Sequence, residues 1–192
     1  MRCLSFGLVL GLLSAGISPA HAVEDYSRTI SAFKASPIVA PYFKSAYGYA
    51  VFPTIGKGGA VIGGAHGKGQ VYRGQQVTGI ASMTQLSIGF QLGGQAFSQI
   101  VFFEDKRAYD DFTSGEFEFG AQVTAVAITA SAQAQAGTGA ATAGASTGRD
   151  AGTQRASYQS GLAVFTYAKG GLMYEATVAG QRFNFKPVAG KK

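Results

Sequence analysis

The feature that most constrains this chain is the alternation of apolar with polar or small residues along several segments. Every second residue is apolar in residues 86–92, in residues 126–134 and in residues 172–178, and a short last run covers residues 183–185. Period two is typical of a β-strand with one buried face, because successive side chains point to opposite faces. From Tyr47 onward the chain is therefore predicted to be mostly β.

Two other regions carry a helical pattern. In residues 24–46, Tyr26, Ile30 and Phe33 recur at helical spacing, and Pro37 divides the region into two short helices. Residues 104–112 repeat the pattern among charges and predict one short internal helix. The predicted fold class is mainly β (α+β): a small antiparallel β-barrel or strongly curved sheet with N-terminal helices. The Ala-, Gly- and Thr-rich residues 138–153 are predicted to form a loop between strands.

The N-terminus has the features of an export signal. Arg2 precedes an apolar run over residues 4–17, and Ala20 and Ala22 form a small-x-small cleavage site. Residues 1–22 are thus predicted to be a signal peptide, and residues 23–192 one domain. Cys3, the one cysteine, precedes the apolar run, so we expect no lipid anchor there. The predicted location is periplasmic or secreted.

Charge is distributed unevenly along the chain, whose formal net charge is +6. Residues 26–103 contain no Asp or Glu but hold six basic residues: Arg28, Lys34, Lys44, Lys57, Lys68 and Arg73. A basic face attracts phosphate-bearing lipids or nucleic acid. Because the chain has an export signal, we expect lipid and no nucleic acid.

No segment of the sequence has the spacing of a catalytic, metal or nucleotide site. The glycine-rich residues 56–69 fail the P-loop and dinucleotide patterns, so these glycines are predicted to serve strand bending. His66 lacks an orienting partner, and the acids of residues 110–118 are predicted to be solvated. We expect no enzyme activity, no catalytic residue, no metal and no cofactor.

Several short blocks resemble the SYLF family. They are residues 46–53 (Ala-Tyr-Gly-Tyr-Ala-Val-Phe-Pro) followed by Gly56 and Gly63-Gly64, then residues 91–95 and 100–102, then Tyr158, residues 161–162, 171–172 and 178–180. The resemblance covers residues 27–186. It implies a β-rich domain with flanking helices that binds membrane lipids, notably phosphoinositides, through an N-terminal amphipathic helix and basic residues. Yeast relatives also bind actin.

This chain departs from the family pattern in three respects. It has no SH3 or FYVE partner domain, it contains no tryptophan, and it carries the export signal. We therefore do not expect actin as its ligand, and we expect an anionic membrane lipid, either phosphoinositide-like or another phospholipid.

The sequence thus predicts non-enzymatic, peripheral binding of anionic membrane lipids. The residues predicted to carry it are Arg28, Lys34, Lys44 and Lys57 for the headgroups and Ile30 and Phe33 for the apolar boundary. The alternative is a small outer-membrane β-barrel, because an exported, glycine-rich chain with alternating strands and no cysteine after residue 22 fits that class too. The helical residues 24–46, the basic C-terminal tail and the alanine-rich strand near residue 130 count against it.

We predict that signal peptidase cleaves after Ala22, because Ala20 and Ala22 satisfy the small-residue rule. N-terminal sequencing of the exported protein should then begin at Val23. A protein that still begins at Met1 or Arg2 would contradict export and would favour a cytoplasmic role.

Overall fold

The computed structural model describes residues 19–59, 62–88, 95–120, 123–128, 157–169 and 180–188. These ranges contain three helices and eight strands. In chain order they are α1 (Pro19–Lys34), α2 (Tyr42–Ser45), β1 (Gly48–Gly59), β2 (Ile62–Arg73), β3 (Gln76–Ile88), β4 (Gln95–Phe103), α3 (Lys106–Thr113), β5 (Glu116–Glu118), β6 (Ala125–Ile128), β7 (Leu162–Lys169) and β8 (Gln181–Pro187).

All eight strands belong to one sheet with the order β5-β8-β3-β2-β1-β4-β7-β6. The mainly β class, the curved sheet, the N-terminal helices and the internal helix are confirmed. Six of the seven neighbouring pairs are antiparallel, as predicted. The exception is β6, which pairs with β7 in parallel. The antiparallel prediction is wrong for this pair. The segment between β6 and β7 is long enough for a crossover connection, which lets the two strands run in the same direction.

The sheet is strongly curled and forms a half-barrel. Its two edge strands, β5 and β6, are joined by residues 119–124 alone. So short a segment spans at most about 24 Å, whereas seven strand spacings in a flat sheet would separate the edges by about 34 Å. Gln99 on β4 and Gln181 on β8 confirm the curl, because their side-chain amides meet at 2.8 Å across three intervening strands.

The curl gives the sheet an inner and an outer face, each with its own apolar core. The inner core contains buried residues from seven strands together with Ala108, Tyr109 and Phe112 of α3. Phe52 of β1 and Phe183 of β8 meet there with ring centroids 5.5 Å apart. The outer core lies between β1, β2, β4, β6 and β7 on one side and the N-terminal helices on the other.

The predicted helices are confirmed, and the position at which α3 begins has a clear cause. Asp105 precedes α3 in extended conformation, and its carboxylate accepts a hydrogen bond from the backbone N–H of Ala108 at 2.8 Å. Such a cap satisfies one of the free N–H groups of the first turn. Helix α1 begins at Pro19, upstream of the predicted cleavage site, and the processing of the chain stays a prediction.

The strand predictions are confirmed where the structure describes them, with one correction. Residues 183–185 lie in β8, and residues 126–128 lie in β6. The pattern over residues 86–92 correctly placed a strand, but its buried face is inverted: Gln85 is 6% exposed, whereas Leu86 is 79% exposed. Gln85 points inward because it joins the interior amides. Residues 90–92, 129–134 and 172–178 and the predicted loop 138–153 lie outside the described residues.

Glycines on the inner face of β2 let bulky residues of β1 pack closely. A Cβ added at Gly69 would lie 2.5 Å from Phe52 Cδ1 and 2.7 Å from the carbonyl oxygen of Val51. Phe52 is fully buried in the inner core, so the space that Gly69 leaves is occupied by an aromatic ring. The prediction that these glycines serve the curved sheet is confirmed at this position.

We predict that Gly69→Ala lowers the free energy of unfolding by about 1–3 kcal/mol, because the methyl group overpacks the core against backbone. Gly58→Ala is the matched control, since a Cβ there has no atom within 4 Å. The control should be neutral or stabilise the fold by up to about 1 kcal/mol. Urea unfolding followed by circular dichroism measures both, and equal losses in the two variants would contradict this packing.

Candidate basic face

The structure divides the predicted basic residues between two places. Arg28 and Lys34 lie exposed on α1, and Lys44 lies exposed on α2, both helices covering the outer face of the sheet. Lys57 is on the inner face, because it follows the buried Ile55 by two residues and pairs with the buried Ala65. Lys57 therefore lies apart from the other three cations. We call the surface formed by Arg28, Lys34 and Lys44 the helical basic face.

The cations of helix α1 point to solvent because the opposite side of the helix packs on the sheet. Phe33 is 1% exposed and meets Tyr167 of β7 in an edge-to-face contact, with ring centroids 6.4 Å apart. Thr29 is buried and Ile30 is half-buried in the outer core. Phe33 thus belongs to the core, and the prediction that it enters a membrane is corrected: its burial already stabilises the fold.

Helix α2 packs through aromatic rings. Tyr42 contacts Phe165 at 4.9 Å between centroids, and Phe43 contacts Phe102 at the same distance. The Nζ of Lys34 lies 5.2 Å from the centroid of the Phe43 ring. A cation at this distance over a ring is attracted by its π-face, so Lys34 links the end of α1 to α2. The helical basic face is therefore held on a packed aromatic layer.

The tyrosines of this layer stay neutral. Burial raises the pKa of Tyr49 to about 12, and the neighbouring Tyr72 adds to the rise. The two rings stack at 4.8 Å between centroids. Burial also raises the pKa of Tyr42, with a contribution from Tyr158. No phenolate therefore offsets the positive charge of the helices near neutral pH.

The acidic residues that follow β4 form ion pairs with cations that lie outside the helical basic face. On α3, Lys106 pairs with Asp110 and Arg107 pairs with Asp111, each four residues apart. On the sheet, Arg182 of β8 pairs with Glu118 of β5 at 2.8 Å. Lys34 and Lys44, by contrast, have no carboxylate within ion-pair distance among the residues that the structure describes. The charge of these two lysines is thus available to an external anion.

The interior also contains a polar cluster that the sequence did not reveal. The amides of Gln99 and Gln181 exchange two hydrogen bonds, at 2.8 and 3.2 Å, and Gln181 also donates to Gln85 at 3.3 Å. Thr166, the pairing partner of Gln99, is 1% exposed, and its hydroxyl has no partner among the described residues. The period-two pattern assigns polar residues to the solvent face of a strand. The sequence therefore did not predict that these glutamines are buried together.

Nothing in the described part of the chain forms a recognisable reaction centre. No group of three or more His, Cys, Asp or Glu side chains there lies close enough to hold a metal ion. His66 is exposed on the outer face of β2, opposite Gly56 and Thr84. None of the helices within the described ranges is both long and apolar enough to cross a bilayer.

These features define a half-barrel domain with a basic, helix-covered outer face. A family model described as Las17-binding protein actin regulator (Ysc84) matches residues 84–189, more than half of the chain. The chain therefore belongs to this family, the SYLF family, as its sequence blocks predicted. It is also 25% identical over 155 residues to beta cell expansion factor A of Aeromonas veronii. That alignment covers 80% of this chain and 51% of the relative, so the chain spans about half the length of the curated relative it matches.

Proposed function

We propose that this protein binds anionic membrane lipids peripherally, without turning them over. The observation that carries the proposal is the helical basic face: three exposed cations, Arg28, Lys34 and Lys44, on α1 and α2, in residues 26–45, which contain no acid. Glu24 and Asp25 lie in the N-terminal half of α1. The aromatic layer beneath the helices supports them in place. Membership in the SYLF family, which the sequence blocks associated with lipid binding, adds to this support.

The attraction would be mainly electrostatic. Each basic residue close to an anionic surface contributes about 1 kcal/mol, and the attraction decays within a Debye length. Lys34 and Lys44, which have no carboxylate partner among the described residues, then contribute about 2 kcal/mol, which corresponds to about thirtyfold in affinity. Phe33 adds nothing, because it is already buried. Binding is therefore expected to weaken strongly as salt is added.

The family description names Las17 binding and actin regulation. We favour lipid over actin for this chain, because its first 22 residues have the pattern of an export signal. A periplasmic or secreted location, in contact with the phospholipids of an envelope, is part of the same proposal.

We predict that changing Arg28, Lys34 and Lys44 together to Gln lowers binding to anionic vesicles at least about thirtyfold at low salt, the effect expected from Lys34 and Lys44. Co-sedimentation with phosphatidylglycerol-containing and pure phosphatidylcholine vesicles measures the change. The matched control changes Lys106 and Arg107 to Gln, because these cations on α3 are exposed but paired with Asp110 and Asp111. The control should bind as the natural protein does, and circular dichroism should show both variants folded.

Two results would contradict the proposal. A folded triple variant that still binds anionic vesicles fully would exclude the helical basic face. A natural protein that binds neutral and anionic vesicles equally would exclude the electrostatic mechanism. Extraction tests the alternative: a peripheral protein leaves membranes at high salt or high pH, and retention under both conditions would favour an outer-membrane barrel.

A further inference from the structure

An apolar strip crosses one end of the outer face of the sheet, from α2 to the end of β8. Its first half is aromatic. The ring of Phe43 on α2 contacts that of Tyr49 on β1 at 5.3 Å between centroids, and Tyr49 stacks on Tyr72 of β2 at 4.8 Å. Phe43 and Tyr49 are half-buried, so each keeps part of its ring exposed to solvent. The name apolar strip stands for Phe43, Tyr49, Tyr72, Val77, Ile80 and Val188.

The second half of the apolar strip is aliphatic and continues on the neighbouring strands. Val77 of β3 is the pairing partner of Tyr72. Ile80 pairs with Gln70, whose side-chain oxygen accepts a hydrogen bond from the Tyr72 hydroxyl at 2.6 Å. Val188 comes directly after β8, and its backbone N–H donates to a carbonyl of β3 at 3.0 Å. Val77, Ile80 and Val188 are 40%, 39% and 49% exposed, so most of the exposed large apolar side chains of the described residues lie together here.

Cations lie at both ends of the apolar strip, on its own face of the sheet. At the α2 end, the Nζ of Lys34 is 5.2 Å from the centroid of the Phe43 ring, and Lys44 is exposed on α2 itself. At the β8 end, Lys186 is exposed and is the pairing partner of Ile80. None of these three lysines has a carboxylate within ion-pair distance in the described part of the chain.

We propose that the apolar strip lies at the boundary between headgroups and acyl chains of an anionic phospholipid membrane, with Lys34, Lys44 and Lys186 against the headgroups. This proposal rests on the lipid-binding function proposed above and names the apolar contact of the same surface. Phe33 does not supply that contact, because it is buried in the outer core. The strip and the helical basic face are continuous, since Lys34 and Lys44 border both.

Charge identifies the occupant of the strip. Apolar side chains bordered by cations complement a surface that has anionic headgroups over an apolar interior. Tyrosine suits this boundary because its ring is apolar and its hydroxyl is polar. A second copy of the chain would bring lysines of the same charge together along the strip, which opposes pairing of two strips.

The outer face becomes polar a short way along the same strands. Past Ile80, the next outward residues are Ser82 and Thr84 on β3, which pair with Asn184 and Arg182 of β8. Thr84 is exposed and lies about 13 Å along the strand from Ile80. A protein that meets the membrane through the apolar strip keeps Thr84 in water, so position 84 is an internal control.

The chain contains no tryptophan, so a single introduced tryptophan reports on its own position. The experiment compares Val77→Trp with Thr84→Trp in the full protein, with vesicles of phosphatidylglycerol and phosphatidylcholine that carry or lack bromine on the acyl chains. With anionic vesicles, the emission of the Val77→Trp protein should move to shorter wavelength and be quenched by bromine. The emission of the Thr84→Trp protein should stay unchanged.

Two further variants measure the apolar and the charged part of the contact by co-sedimentation. Changing Val77 and Ile80 together to Gln should lower the vesicle partition coefficient about tenfold, because apolar surface that enters the membrane is lost. Lys186→Gln should lower it about fivefold. Arg182→Gln is the matched control on the same face of β8, because Arg182 is paired with Glu118, and it should bind nearly as the natural protein does. Circular dichroism should show every variant folded.

The outcomes separate this inference from the proposed function. If the natural protein co-sediments with anionic vesicles but the Val77→Trp emission does not respond, the apolar strip is wrong and lipid binding stands. An equal response from Thr84→Trp would also overturn the strip as the contact. A shift of the Val77→Trp emission that grows with protein concentration without vesicles would assign the strip to contact between copies. If the natural protein does not bind anionic vesicles at all, the proposed function fails and this inference fails with it.

Discussion

The curl of the sheet is the constraint on which the rest of the structure depends, and the amide pair of Gln99 and Gln181 connects its two sides. In a flat sheet β4 and β8 would be about 19 Å apart, too far for two glutamine side chains to meet. Their hydrogen bonds, at 2.8 and 3.2 Å, therefore exist only while the sheet is curled. Buried amides that lose their partners cost about 1–3 kcal/mol each, so the pair opposes flattening of the sheet. The closely packed glycine at position 69 acts in the same direction, since it admits Phe52 to the interior.

The curl also decides where charge is presented. The inner face closes over its own core, to which α3 contributes, whereas α1 and α2 pack on the outer face and their cations point to solvent. Because successive side chains of a strand point to opposite faces, Lys57 lies on the inner face of the sheet. It is near the strand ends at which Leu86 is exposed on the outer face. The cations predicted to bind lipid are thus divided between the helical layer outside the sheet and Lys57 on its inner face. A lipid-binding protein built this way would contact the membrane through positions that lie far apart in sequence.

Residue patterns predicted much of this fold, and the errors in that prediction have identifiable physical causes. Helical spacing located α1, α2 and α3, and period two located β3 and β8, because both patterns arise from local geometry. The burial of Gln85 and the exposure of Leu86 depend on which partners face the strand across the interior, and no local pattern contains that information. Phe33 was predicted to be available to lipid because an amphipathic stripe looks the same whether it covers a sheet or a membrane. The separation of Lys57 from the other cations required the register of β1.

Hydrogen–deuterium exchange with and without vesicles tests the central claim, anionic lipid binding through the outer helices, most directly. Backbone amides of α2 and of the C-terminal half of α1 should exchange more slowly in the presence of phosphatidylglycerol vesicles. Those of α3, whose cations are paired with its own carboxylates, should exchange at an unchanged rate. Phosphatidylcholine vesicles should protect neither region. Protection of α3 in place of α1 and α2, or equal protection by neutral vesicles, would contradict the account.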